Sequence, residues 1–262
     1  MGELDIAFRK RIGFSEDKRI TFANLEDILS RTAQALPFEN LSILSGRTKE
    51  ISEKNLIQKI ILHNEGGLCY ELNGLLYLFL IENGFKAVLV RGVVYSEPHQ
   101  DWSRTGQTHA AVLLFYQGEK YLLDTGFGGN LPLVPVPLTG ETVSSPNGIF
   151  RIKHENSPFG DYLLEMKVKH KHTHWKKGYT FDSKSEITNV SELNPMQETI
   201  VHHSDSAFNK KPLVTRLTEQ GNITLTSTSL TEWADGKENK QEMTEETFGQ
   251  SLKKYFNLEI QH

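Results

Sequence analysis

One cysteine, Cys69, stands in 262 residues, just after a glycine pair. Its surroundings read Glu65-Gly66-Gly67-Leu68-Cys69-Tyr70-Glu71-Leu72-Asn73. Leu72, Leu75, Leu76 and Phe79 follow at helical spacing, and Asn83-Gly84 supplies a stop. The spacing predicts a tight glycine turn, then a helix that opens near Cys69. Free backbone N–H groups and the positive end of the helix dipole lie there, and they favour a nucleophilic thiolate. A buried structural cysteine is the alternative, because a free thiol packs well in a core.

A thiol nucleophile needs a base and a group that orients the base. His109 opens a strongly apolar stretch after a polar loop, and Asp124 closes residues 121–124. Gln117-Gly118-Glu119-Lys120 between them reads as a hairpin turn. If His109 and Asp124 fall at the same end of that hairpin they are neighbours, with a bulge allowed in the register. A satisfied histidine at a strand start and an aspartate in an Asp-Thr-Gly turn are the structural alternatives.

Other candidates carry less. Gly126-Phe127-Gly128-Gly129 has neither the G-x-G-x-x-G spacing nor a following helix, so it is no dinucleotide fingerprint. No Walker sequence occurs. His170, His172 and His174 alternate, so a strand would put them on one face and could hold a metal. No cysteine or carboxylate joins them and lysines flank them, so a solvated strand face or loop is the reading and no metal is expected. His202 and His203 are adjacent, and on a strand would point opposite ways.

These residues need elements to hold them. Residues 21–36 predict a helix with Leu25, Ile28, Leu29, Thr32 and Leu36 on one face, stopped by Pro37. Residues 37–41 read as an ordered turn, and residues 52–63 as a second helix before that of Cys69. After Gly84 the pattern changes to strands: 87–90, 92–95, 109–116, 121–124, then 149–153, 162–170 and 173–181. Pro132, Pro135 and Pro137 forbid a helix between. Residues 212–217 and 223–230 predict a hairpin about Gln220-Gly221-Asn222, and residues 245–256 a last helix. Helices followed by antiparallel strands point to α+β. The expected division is a helical segment 1–84 carrying Cys69, a β segment 85–187 and a mixed segment 188–262.

Charged residues nearly balance, 29 basic against 33 acidic, for a net charge of -4. With a pI near 6.2, nucleic-acid binding is not expected. One cysteine forms no internal disulfide, which fits a reducing compartment. The N-terminus does not read as a signal peptide and no apolar run is long enough to span a bilayer. The expectation is a soluble, cytoplasmic protein.

The chain resembles the arylamine N-acetyltransferases. That family surrounds its nucleophile with Arg-Gly-Gly-x-Cys-x-Glu-Leu-Asn, matched here by 65–73. Its Thr-Gly-x-x-His segment is matched by Thr105-Gly106-Gln107-Thr108-His109, and its strand ending Asp-x-Gly by Leu122-Leu123-Asp124-Thr125-Gly126. Pro37-Phe38-Glu39-Asn40-Leu41 and Val214-Thr215-Arg216-Leu217 are also similar. Three motifs in order make the resemblance specific, and with the flanking segments it spans about residues 37–217.

The resemblance implies a helical bundle, a central antiparallel β-barrel and a C-terminal α/β lid, with a cysteine-protease-like Cys-His-Asp arrangement. It implies a ping-pong acetyl transfer, part of xenobiotic metabolism, from acetyl-CoA as co-substrate to an arylamine, hydrazine or arylhydroxylamine. Cys69 would carry the acetyl group, His109 act as base and Asp124 orient it. Thr105, Gly106, Gly126 and Gly128 would meet the cofactor, and Phe38 and Phe127 the acceptor. The oligomeric state stays open. One departure is Glu65, where the family pattern has arginine. The competing readings are a cysteine hydrolase or transglutaminase-like enzyme, and a non-catalytic relative that binds CoA or a small aromatic compound.

Overall fold

The computed structural model describes residues 2–259. Helix α1, Glu3–Ile12, turns Leu4, Phe8 and Ile12 inward and ends at Gly13. Helix α2, Leu25–Ala35, buries Leu25, Ile28, Leu29 and Thr32, the stripe read from its spacing. Strand β1, Phe38–Glu39, and the single turn α3, Leu41–Leu44, follow. Helix α4, Glu53–Leu56, continues as a π-helical segment, Ile57–Leu62. Helix α5, Cys69–Glu82, is buried on most sides, as its apolar run requires.

The strands of the large sheet are β2 (Lys86–Ser96), β3 (Asp101–Trp102), β4 (His109–Tyr116), β5 (Glu119–Leu123), β6 (Val136–Pro137), β7 (Val143–Ser145), β8 (Gly148–Ser157), β9 (Gly160–Val168) and β10 (Lys176–Phe181). Their order is β6-β5-β4-β2-β10-β9-β8-β7, with β3 on β2. The pairings are antiparallel, and β6 lies against β8, so the sheet curls into a nearly closed barrel. Helix α6, Asn194–His202, follows. A second sheet, ordered β1-β11-β12-β13-β14, adds β11 (Leu213–Leu217), β12 (Gly221–Thr226), β13 (Ser229–Ala234) and β14 (Lys237–Glu242). Helix α7, Glu245–Ser251, closes over it with Phe248.

Strand β4 explains how the halves join. Its residues are buried on both faces, with two different partners. Ala110, Val112 and Leu114 enter the helical core with Leu72, Leu75 and Leu76 of α5. Ala111 and Leu113 enter the barrel core with Phe150 and Ile152. Each fully buried Leu or Phe in such a core contributes about 1.5–3 kcal/mol. Met196 and Ile200 of α6 pack into the helical core too.

Several expectations change. Residues 37–41 are not only a turn: β1 pairs with β11, Phe38 opposite Thr215, a partner far beyond any local pattern. The span 223–230 is not one strand. It breaks after Thr226, whose hydroxyl accepts from the N–H groups of Thr228 and Ser229. The turn expected at 220–222 falls instead at 218–220, because β12 already starts at Gly221. His170, His172 and His174 do not share a strand, because β9 ends at Val168 and β10 starts at Lys176. Among the described residues no group of three or more His, Cys, Asp or Glu could hold a metal, and no helix is long and apolar enough to cross a membrane.

Candidate active site

Cys69 opens α5 because of the turn before it. Leu68 is extended at the N-cap, and its N–H donates to Glu71 Oε2 at 2.9 Å. The turn is stitched to β1: Gly67 N–H donates to the Pro37 carbonyl at 3.2 Å, and Glu39 N–H to the Gly67 carbonyl at 3.0 Å. A Cβ on Gly66 would lie 2.0 Å from the Pro37 carbonyl oxygen. No side chain fits there, so Gly66 is dictated by close backbone approach, while a Cβ on Gly67 would press on the Glu71 side chain at 2.8 Å.

His109 and Asp124 come from one hairpin. Val112 pairs with Leu123 and Tyr116 with Glu119. Continued one residue, that register sets Asp124 opposite Ala111, on the face His109 shares. The two are diagonal neighbours without a bulge. His109 Nε2 meets Asp124 Oδ2 at 2.8 Å. Asp124 receives three more donors: Tyr179 OH at 2.8 Å on Oδ2, then Asn73 Nδ2 at 2.8 Å and Gly126 N–H at 2.7 Å on Oδ1. A buried carboxylate with its acceptor sites filled keeps its charge.

The Cys69 thiol donates to the Thr108 carbonyl at 3.3 Å, and the sulfur is close enough to the His109 ring to favour its charged form. Because Nε2 faces Asp124, Nδ1 is the nitrogen left for sulfur. Burial opposes a charged His109, but the Asp124 charge and hydrogen bond, with Cys69 adding, raise its pKa from 6.5 to about 10. Burial also opposes an ionised Asp124, yet His109, Asn73 and the Gly126 N–H hold it below the usual carboxylate value. Cys69, His109 and Asp124 are all buried, and the order thiol, imidazole, carboxylate suits nucleophilic acyl transfer.

Cys69 and His109 form the floor of a cleft of about 580 Å³. Phe38 and Phe127 line it, as does Thr105. Phe208 meets Phe38 edge-on at 5.6 Å, and Phe127 meets the His109 ring at 5.1 Å. Gly126 reaches the cleft too, but its N–H is already given to Asp124. That N–H is therefore not free to meet the cofactor, although the resemblance had led one to expect that of Gly126. A Cβ on Gly126 would lie 2.5 Å from Cys69 Cα, so this glycine brings its loop against the nucleophile. Gly106 N–H is likewise bonded to the Ser103 carbonyl at 3.1 Å. Gly106 and Gly128 have positive φ, 68° and 58°, and are not among the lining residues.

Glu65 has a basic partner: Arg47 Nη1 lies 3.8 Å from its Oε1. The departure from the family pattern is therefore matched by a local cation, and it leaves the hairpin residues untouched.

Two residues escape the sequence reading of the site. Asn73 joins three elements: it donates to Asp124 and to the Ala110 carbonyl, and accepts from the Thr125 N–H. Its place one helical turn after Cys69, on the same face, is the available signal. Tyr179 comes from β10, and no spacing links it to Asp124.

Comparison with known proteins places this geometry in a class. The N-acetyltransferase family model matches residues 21–262. An arylamine N-acetyltransferase of Bacillus cereus, described as having a unique Cys-His-Glu catalytic triad, superposes with a TM-score of 0.93. It is 40% identical and the match covers 99% of this chain and 100% of that one. The arylamine N-acetyltransferase C of Bacillus anthracis gives 0.93 at 37% identity, covering 100% of both. Among curated relatives, the probable arylamine N-acetyltransferase 3 of Dictyostelium discoideum is 31% identical over 98% of this chain and 94% of its own length. The chain belongs to the arylamine N-acetyltransferase family and is an acyltransferase.

Proposed function

We propose that this protein moves an acetyl group from acetyl-CoA to an arylamine, arylhydrazine or arylhydroxylamine through an acetyl thioester on Cys69. The observation that carries the reading is the buried sequence Cys69, His109, Asp124 at the floor of an aromatic cleft.

In the first half-reaction the Cys69 sulfur attacks the thioester carbonyl. The new S–C bond forms, the bond to the CoA sulfur breaks, and His109 gives its proton to that leaving thiolate. In the second, the amine nitrogen attacks the acetyl carbon of Cys69. His109 takes the amine proton, the Cys69 S–C bond breaks, and the thiolate and imidazolium return. Asp124 holds the imidazole in orientation throughout. Two thioester-level steps replace one encounter of three bodies.

Phe38 and Phe127 are the apolar walls for a flat acceptor. Thr105 stands on the cofactor side of the cleft, with Gly106 and Gly128 shaping the loops beside it and Gly126 closing against Cys69. A cytoplasmic setting, with the thiol kept reduced, belongs to the same reading. The division 1–84, 85–187 and 188–262 is kept as its working frame.

The test is steady-state turnover with acetyl-CoA and a panel of arylamines and hydrazines, following the acetylated product. Double-reciprocal initial-rate plots against one substrate at fixed levels of the other are expected to be parallel. Intersecting lines would replace the thioester with direct transfer in a ternary complex, and release of acetate in place of the amide would favour a hydrolase.

A further inference from the structure

The turn that presents Cys69 has a second charged group behind it. Lys59 sits in the π-helical segment Ile57–Leu62, a winding often found at functional positions. Its ammonium donates to Glu71 Oε1 at 2.6 Å and lies 3.5 Å from Glu39 Oε1. Both carboxylates hold the nucleophile turn. Glu71 caps α5 through the Leu68 N–H, one residue before Cys69. Glu39 belongs to β1, whose backbone is bonded to Gly67, and its Oε2 accepts from the Leu41 N–H at 2.6 Å.

Lys59 is thus the cation between the two structures that clamp Gly66-Gly67. Glu39 Oε1 has no hydrogen-bond partner, and Lys59 is the cation beside it. Remove the ammonium and two buried carboxylates face each other behind Cys69. They repel, and their charge opposes a thiolate on the next turn. Position 65, where the family pattern has arginine, carries Glu65 and adds to the acidity around Lys59.

We propose that Lys59 is a positioning residue for the nucleophile: held between Glu71 and Glu39, it fixes the Gly66-Gly67 turn and offsets the carboxylate charge behind Cys69. The inference rests on Cys69 being the nucleophile, and its test reads that thiol without any acceptor.

The experiment compares wild type, Lys59→Met and Lys59→Met/Glu71→Gln. Rates of Cys69 alkylation by iodoacetamide are measured from acid to alkaline pH, beside acceptor KM and melting temperature. Lys59→Met is expected to slow alkylation at neutral pH about tenfold, with acceptor KM within about twofold. The double variant removes one carboxylate charge and is expected to regain most of the alkylation rate. The amide introduced at position 71 loses the charge while its carbonyl can keep the Leu68 N–H. A folded Lys59→Met protein with wild-type alkylation at every pH would overturn the proposal. So would a double variant that recovers melting temperature but not alkylation, which would make Lys59 structural only. If Lys59→Met does not fold, the folded double variant decides: near-normal alkylation supports the proposal, and a tenfold loss overturns it. Failure of acetyl transfer in wild type would leave these alkylation ratios interpretable.

Discussion

Two charged networks flank the Cys69 turn, and they are built differently. In front, Asp124 is one carboxylate with four donors, its side chain fully buried and that of His109 4% exposed. Behind, Lys59 is one cation serving two carboxylates, with its side chain 16% exposed and one Glu39 oxygen lacking a hydrogen bond. It borders a cavity of about 450 Å³ that Gln58, His63 and Glu65 also line. The Asp124 carboxylate of the front network is fully buried, so a missing charge there finds no substitute. The rear one can take up water when a partner is lost. Breaking a sealed ion pair is costly because the surviving charge stays buried, whereas a hydrated one relaxes. Removing Asp124 is therefore expected to do far more than removing Lys59.

The largest effect should come from Asp124→Asn. An amide keeps the shape but cannot stabilise the imidazolium, and it selects the wrong tautomer. A loss of about ten-thousandfold in kcat/KM is expected, measured with a fast arylamine. A loss below tenfold would mean that the front network is not special. The same variant tests the linkage between charge and stability. His109 has its pKa raised from 6.5 to about 10, so its stabilising contribution is complete below pH 6.5 and fades as pH climbs toward 10. Asp124 is shifted the other way, so its contribution is present at neutral pH and is lost only in acid, below its usual range. The melting-temperature gap between wild type and Asp124→Asn should be widest near pH 6 and narrow steadily to pH 10. A gap that grows with pH would contradict the imidazolium–carboxylate pair.

Smaller effects belong to the rear. After the tenfold change expected of Lys59→Met, Glu65→Arg should matter least to chemistry. It places a second cation beside Arg47, a partly exposed partner 3.8 Å away, so the loss is about 1 kcal/mol at most. That corresponds to a drop of roughly 2–4 °C in melting temperature, with turnover within about threefold. A clear gain in Cys69 alkylation at unchanged melting temperature would show instead that Glu65 acts on the thiol through its field.

How much of this is readable from residues alone follows the same divide. The Cys69 turn, its helix and the His109–Asp124 hairpin are local, so periodicity and turn chemistry place them, and the hairpin register needs no bulge. What joins them is not local. Tyr179 reaches Asp124 across the sheet, and β1 finds β11 by pairing two residues too short to show a period. Strand β14 is exposed along its whole length, so no apolar alternation marks it, although Asp235-Gly236, both at positive φ, is hairpin chemistry. Helix α1 carries a pattern in Leu4, Phe8 and Ile12 with Gly13 behind it, but charged residues fill half of its short span and dilute the signal.

The most direct test is the mass of the intact protein after acetyl-CoA, before and after an arylamine is added. Wild type should gain one acetyl group, mapped to the peptide bearing Cys69, and lose it to the amine. Cys69→Ser should gain none while keeping its fold. An acetyl group on any other residue, or a wild-type protein that stays unmodified while turning substrate over, would contradict the thioester on Cys69.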